Sequence, residues 1–471
     1  MGLGGQAGGR FSIDKTPTGV RGFDVVTGGG VPRGRATLVT GASGTGKTLF
    51  GIEFLVRGAL DHGEPGVLIS FEETADDIAT NVAGLGFDIP ALQAQGLLAV
   101  DAFVSDGTQE VTAGPFDLDG LFLRLDAAVA SVGARRLVID TIESLFGRLH
   151  DEVALRGELV RLFHWIKARG LTAVITGEQG EGGRLTRFGI EEYVSDCVIV
   201  LDTRLHDDVS TRRLRVAKYR GSTHGTNQYP FVITEHGFTV LPLTAMGLDY
   251  AAPDDRISSG VPALDEMLGG GILRASTVLV SGSAGTGKTT IAAQVVEAAC
   301  ARGERSLFVT YEESPAQLMR NMRSVGIDLQ PWVDAGVLRI EAERSTAMGL
   351  EEHLVTLDRH IEAAQPTVVA LDALGSLGRV GTGTAVSATV ARQVDAMKSR
   401  GITSVLTVLA GEGDEEAGSL AVSSLTDTWL LLRNVESDGE RNRLLFVIKS
   451  RGTAHSNKVR EFLLTDDGAR L

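Results

Sequence analysis

Short runs of consecutive apolar residues alternate along the chain with stretches whose apolar positions recur at helical spacing. ATLVTG at 36–41 is one such run, and FGIEFLVRGAL at 50–60 has the period of an amphipathic helix. GVLISF at 66–71 reads as a buried strand running into Glu72, and RRLVIDT at 135–141 as a strand ending at Asp140. A helix through Leu155–Lys167 leads to the strand LTAVITGE at 171–178. From DCVIVLD at 196–202 the pattern turns richer in strand, with RRLRVAKYRG and YPFVITEHGFTVL. Wholly apolar strands alternating with helices predict an α/β fold with a mostly parallel sheet, because such strands are covered on both faces.

The second half repeats this order. GASGTGKT at Gly41–Thr48 recurs as GSAGTGKT at Gly282–Thr289, and TGVRGFD recurs as SGVPALD. ISFEET matches VTYEES, LVIDT matches VALDA, VSDCVIVL matches LTDTWLLL, and KYRGSTH matches KSRGTAH. Motifs kept in one order at a near-constant offset mark a duplicated domain. The expected domains are 1–247 and 248–471, joined by TAMGLDYAAPDDR at Thr244–Arg256. Of eight lysines, six fall in repeat-matched pairs: Lys47 with Lys288, Lys167 with Lys398, and Lys218 with Lys449. Pairing of so scarce a residue argues for positional roles. Lys167 and Lys398 each precede a glycine at the end of an apparent helix, where a cation suits the carbonyl end, and are read as structural.

Composition narrows the class. An apolar fraction of 43% over 471 residues is enough to bury sizeable cores and excludes disorder as the dominant state. The 59 glycines, without a G-X-Y period, suit turns and backbone-lined sites. Two isolated cysteines, Cys197 and Cys300, form no CxxC pair, which argues against a thiolate zinc site or a disulfide framework. No apolar stretch approaches the length of a membrane span, and Met1–Arg10 lacks the apolar segment of a secretory signal, so a cytoplasmic protein is expected. A formal charge of −15 disfavours bulk attraction to DNA or anionic membranes.

The candidate chemistry lies at strand ends. Strand–GxxxxGK[ST]–helix is the context of a P-loop, whose inward amide groups hold phosphate oxygens at a helix N-terminus. Gly41, Ser43, Gly44, Thr45, Gly46, Lys47 and Thr48 form the first, and Gly282, Ala284, Gly285, Thr286, Gly287, Lys288 and Thr289 the second. Lys47 and Lys288 are expected on the β- and γ-phosphates of ATP, and the Thr48 and Thr289 hydroxyls on Mg²⁺. Asp140 and Asp372 each end a later apolar strand, where a carboxylate holds Mg²⁺ through its water shell. Glu72-Glu73 and Glu312-Glu313 follow buried strands and are expected to orient or deprotonate an attacking hydroxyl, although alone they would read as acidic helix starts. Lys218 with Arg220 and Lys449 with Arg451 are repeated cations that a neighbouring subunit can direct at a transferred phosphoryl group. His224 and His455 also repeat, and a packing or turn role suits them better than catalysis.

Together these motifs resemble the KaiC family of circadian clock proteins, which are tandem RecA-like ATPases. The resemblance covers nearly the whole chain and includes RFGIEEYVSD, YPFVITEHG, SLTDTWLLLRNVE and REFLLTDDG. It implies two tandem RecA-like P-loop domains, ATP and Mg²⁺ as cofactors, and a double-ring homohexamer with ATP between subunits. It implies that Glu72 and Glu73 serve hydrolysis in the first ring and Glu312 and Glu313 phosphoryl transfer in the second. Lys218, Arg220, Lys449 and Arg451 match the cations that reach a neighbour's nucleotide. In the family the second domain phosphorylates a hydroxyl pair before an xTDT strand, and AVSSLTDTW places Ser423 and Ser424 there. The first domain reads EYVSD, so its Ser195 has no paired hydroxyl. The expectation is a slow ATPase in domain one and a serine autokinase in domain two. The pair is Ser–Ser rather than the clock protein's Ser–Thr, and the sequence stops at Leu471 soon after LLTDDG. Both features point to a homologue outside the oscillator that does not depend on KaiA, with a KaiB-like partner implied by resemblance only.

Two other readings compete. A RecA-class DNA motor would want a basic loop facing a central channel, but GEGDEEAGS at Gly411–Ser419 is acidic. A nucleotide-loaded scaffold with little turnover would carry the same P-loops, and phosphate on Ser423 or Ser424 distinguishes the autokinase from it.

Overall fold

A computed structural model describes residues 13–103, 118–146, 152–180, 184–186, 189, 195–206, 209–242, 252–380, 383–409, 424–437, 440–466 and 468–471. The chain divides into two compact units, Met1–Ala245 and Met246–Leu471. Ser423, the acidic segment 411–419 and most of RFGIEEYVSD lie outside the described residues.

In the first unit, nine strands among the described residues form one sheet. Ala36–Gly41 lies between Thr172–Glu178 and Cys197–His206, parallel to both. Outward from Thr172–Glu178 run Arg136–Asp140, Gly66–Ser70 and Leu98–Ala102, all parallel. Outward from Cys197–His206 run Val209–Tyr219, Gln228–Thr234 and Gly237–Val240, each antiparallel to its neighbour. The second unit repeats the plan. Thr277–Gly282 lies between Thr403–Leu409 and Thr428–Ser437, followed on one side by Val368–Asp372, Ser306–Thr310 and Leu338–Ala342. On its other side Glu440–Ser450 and Arg460–Glu461 are antiparallel additions.

Both faces of the first sheet are covered, which is why its central strands lack polar alternation. Val39, Val138 and Val174 face one way, onto Phe50 and Phe54 of helix Lys47–His62. Leu38, Leu137, Ile139 and Ile175 face the other way, onto Leu159, Leu162 and Ile166 of helix Glu152–Ala168. One charged side chain at the start of an inner strand is tolerated because a carboxylate and a carbonyl meet it there. Arg136 is wholly buried, donates to Glu64 Oε2 at 2.8 Å and to the Phe54 carbonyl at 2.8 Å, and lies 4.5 Å from the Phe54 ring centre.

Helix Lys47–His62 also carries a buried carboxylate. Glu53 accepts the Phe238 amide at 2.7 Å and so ties the hairpin of Gln228–Thr234 and Gly237–Val240 to the helix. The second unit has Gln294 at the matching place, accepting the Ala469 amide at 3.3 Å without a charge. Burial pushes the Glu53 carboxyl up to about 7, opposed only in part by the Phe238 amide and by Arg57. A carboxyl raised on folding takes up a proton as the chain folds, so stability falls as pH rises from the unfolded value through about 7. E53Q removes this penalty. It is expected to leave stability near that of the parent at pH 4.5 and to raise it at pH 8 by about 2 kcal/mol. Each tenfold change in proton affinity is worth ~1.4 kcal/mol, and loss of the ion pair with Arg57 offsets part of the gain. Denaturant unfolding at the two pH values checks this, and equal effects at both would refute it.

Candidate active site

In both units the Gly-rich loop joins the finishing end of the central strand to a helix. Gly46 and Gly287 stand at that junction with φ of 98° and 96°, left-handed values that favour glycine. A Cβ on Gly46 would come within 2.7 Å of Ile233 Cδ1, and one on Gly287 within 2.6 Å of Phe462 Cε1. Neither junction has a side-chain cap, so the first amides of Lys47–His62 and Lys288–Ala301 have no capping side chain and suit an anion. The helices after the glutamate pairs differ. Thr74 accepts the Asp77 amide, and Ser314 forms a capping box with Gln317, so Glu72-Glu73 and Glu312-Glu313 are not consumed as caps.

Lys47 is buried and donates to the Gly41 and Ala42 carbonyls, both at 2.9 Å. Lys288 donates to the Gly282 and Ser283 carbonyls at 2.9 and 2.8 Å, and burial lowers its pKa. Thr48 Oγ1 donates to Asp140 Oδ2 at 3.0 Å, and Thr176 Oγ1 donates to Asp140 Oδ1. The second unit reproduces this, with Thr289 Oγ1 donating to Asp372 Oδ2 at 3.0 Å and Thr407 Oγ1 to Oδ1. Burial raises both aspartates, and the threonine hydroxyls oppose it. A hydroxyl and a carboxylate in contact form the hard oxygen donor set that Mg²⁺ takes, so the residues fit this ion. Of the paired glutamates, Glu73 and Glu313 accept from Asn81 and Asn321 at 3.3 and 3.1 Å. Glu72 and Glu312 are exposed. In the first unit Lys47, Thr48, Glu72, Glu73, Thr141 and Glu178 line a cavity of about 390 Å³, with Leu49, Ile52, Ile78 and Val82 as its apolar wall.

The model of the KaiC ATPase family matches residues 16–245 and again 257–471. The chain belongs to the KaiC ATPase family. It is 48% identical over 465 residues to the circadian clock protein KaiC2 of Synechocystis, covering 98% of this chain and 82% of that protein. It is 40% identical over 461 residues to the circadian clock oscillator protein KaiC of Synechococcus elongatus, covering 97% and 89%. The oscillator protein KaiC of Thermostichus vulcanus is 39% identical over 463 residues, covering 98% and 89%. The resemblance seen in the motifs is thus a family membership, with two tandem RecA-like ATPase domains of α/β class and a P-loop ATPase as the activity. No helix among the described residues is long and apolar enough to cross a membrane.

Within each KaiC unit the sheet brings some of the expected residues together and holds others apart. P-loop, aspartate and glutamate pair share the finishing end of the parallel strands. Lys218 pairs in register with Val198 at the starting end of Cys197–His206, and the Arg220 amide bonds the Asp196 carbonyl there. Lys449 and Arg451 stand likewise beside Trp429 and Asp427. Ser424 precedes Thr428–Ser437 at this same starting end, exposed, with its carbonyl accepting from Arg451 Nη2 at 2.9 Å. Lys398, read from the sequence as a helix-end cation, directs its Nζ to the Leu425 carbonyl and the Asp427 carboxylate instead. It is buried, 2.7 Å from Asp427 Oδ2, and so braces the turn that carries Ser424. In the first unit Asp196 instead meets Arg35 at 3.3 Å and Arg220 at 3.8 Å, while Lys167 is exposed. His224 lies against the Tyr219 ring, as a packing role requires.

The sequence reading missed Thr176 and Thr407, and Asn81 and Asn321. Both pairs occupy repeat-matched positions, the threonines as polar interruptions of apolar strands, and that signal lay open in the sequence. The two P-loops make separable predictions. K47A and K288A are each expected to remove about half of the ATP bound per chain at saturation, because each strips the cation from one loop. Equilibrium dialysis checks this, and full retention in either variant would exclude that lysine from nucleotide binding.

Proposed function

We propose that this KaiC-family ATPase hydrolyses ATP slowly in its first unit and phosphorylates Ser423 or Ser424 in its second, with both reactions completed by a neighbouring copy in a ring, a homohexamer by family resemblance. The observation that carries this reading is the separation of each unit's parts to opposite ends of one sheet. Thr277–Gly282 and Thr428–Ser437 are parallel and in register from Val278 with Thr428 to Gly282 with Leu432. Those four steps span about 13 Å, and the loop and the serine lie beyond them in opposite directions. A serine so placed cannot meet its own unit's loop without dismantling the sheet, whereas a second copy can present its starting end to the first copy's finishing end.

In this reading the P-loop amides and Lys47 or Lys288 bind the phosphates, and Thr48 with Asp140, or Thr289 with Asp372, would hold Mg²⁺. Mg²⁺ when bound neutralises charge on the β- and γ-phosphate oxygens. In the first unit Glu72, with Glu73 beside it, orients water and accepts its proton. In the second unit the Ser423 or Ser424 Oγ forms the new bond to the γ-phosphorus as the bond to the bridging oxygen breaks and ADP leaves. Glu312, with Glu313 beside it, takes the hydroxyl proton. Lys218 with Arg220, and Lys449 with Arg451, offset charge on the phosphoryl group of the adjoining copy.

Incubation with Mg²⁺·ATP followed by peptide mapping tests the autokinase half. Phosphate is expected on Ser423 or Ser424 of the parent and absent from E312Q, and ATP consumption without serine phosphate would overturn it. A mixture of K288A with the S423A/S424A double variant tests completion by a neighbour. Phosphate is expected on the K288A chain, which has lost its own loop cation but keeps its serines, and its absence while the parent is phosphorylated would place transfer within one copy.

A further inference from the structure

The two units treat their leading glutamates differently. In the first, Thr141 Oγ1 and Ser144 Oγ both donate to Glu72 Oε1, at 3.0 and 3.1 Å, and stand 3.2 Å from each other. Thr141 is buried at the finishing end of Arg136–Asp140, so its hydroxyl is held by the sheet rather than by solvent. In the second unit the residue after the strand aspartate is Ala373, which has no hydroxyl. Ser376, at the place of Ser144, is buried and donates at 2.8 Å to the Ala373 carbonyl instead. Glu312 receives neither bond.

We propose that Thr141 and Ser144 are positioning residues for hydrolysis, and that their replacement by an alanine and an inward-turned serine releases Glu312 for a serine substrate. A glutamate has three rotatable bonds, and two donors converging on one oxygen select one arrangement of them. With Oε1 occupied, Oε2 is left to accept a proton from a small nucleophile in the cavity that Glu72 lines with Lys47 and Thr48, which suits water. Without the two donors, the Glu312 carboxylate can follow a hydroxyl delivered on a peptide segment, whose position varies more than that of a water in a formed cavity. The proposal rests on the reading of Glu72 as the proton acceptor in the first unit.

Steady-state phosphate release by the full chain tests it with E72Q, T141A/S144A and T141S side by side. E72Q is expected to abolish most of the first unit's turnover. T141A/S144A is expected to lower kcat about tenfold with KM within about twofold, because a misplaced base weakens the transition state and not nucleotide binding. T141S, which keeps the hydroxyl, is expected to retain most of the parent kcat, an outcome that loss of packing at Thr141 would not give. If E72Q is inactive while T141A/S144A keeps the parent kcat, the positioning role is overturned and the role of Glu72 stands. If E72Q keeps full turnover, the reading of Glu72 fails first and the proposal with it.

Discussion

A buried aspartate bonded to two threonine hydroxyls fixes the geometry of each unit. Asp140 accepts from Thr48 on the helix that follows the P-loop and from Thr176 on the next strand, and Asp372 accepts from Thr289 and Thr407 in the same way. Three elements distant in sequence are thereby tied at one point, the finishing end of the parallel strands. Burial raises the cost of the charged carboxylate, so loss of either hydroxyl would leave it short of a partner in a low-dielectric site. The loop, the uncapped helix-start amides and the glutamate pair share that end of the sheet with this knot.

A sheet covered on both faces leaves polar chemistry only at its two ends. Each unit puts the binding loop at one end and the cations at the other, and neither end can reach the other through the packed strands. This division keeps the paired cations of each unit away from that unit's own loop. It also explains how the two copies of the plan could diverge without disturbing the core. The differences lie at the ends and edges: Glu53 against Gln294, Thr141 against Ala373, and Lys398 turned onto Asp427 where Asp196 meets Arg35 and Arg220.

Much of the fold was legible because its signals are local. The apolar runs that predicted buried parallel strands are those whose alternate residues pack on opposite faces, and the GxxxxGK[ST] segments sit where a strand meets a helix. Asp140 and Asp372 could be read from their places at strand ends. The partners of those carboxylates were not read, because Thr176 and Thr407 resemble ordinary strand threonines until the sheet order brings them beside the aspartate. Thr141 and Ser144 were hidden for the same reason, since their bond to Glu72 spans about seventy residues of sequence and exists only where Arg136–Asp140 lies next to Gly66–Ser70.

The sequence by itself determined that the chain is one α/β unit written twice, that each copy carries a P-loop with an acidic strand end, and that the copies belong with the KaiC ATPases. The first two follow from residue spacing, which strand and helix periods translate directly into structure, and the third from the likeness of the motifs to that family. Only the tertiary structure decided which residues share an end of the sheet. Strand order is set by crossovers and by packing of both faces, not by adjacency in sequence. The separation of Ser424 and the paired cations from the loop of their own unit, and the different company kept by Glu72 and Glu312, are consequences of that order.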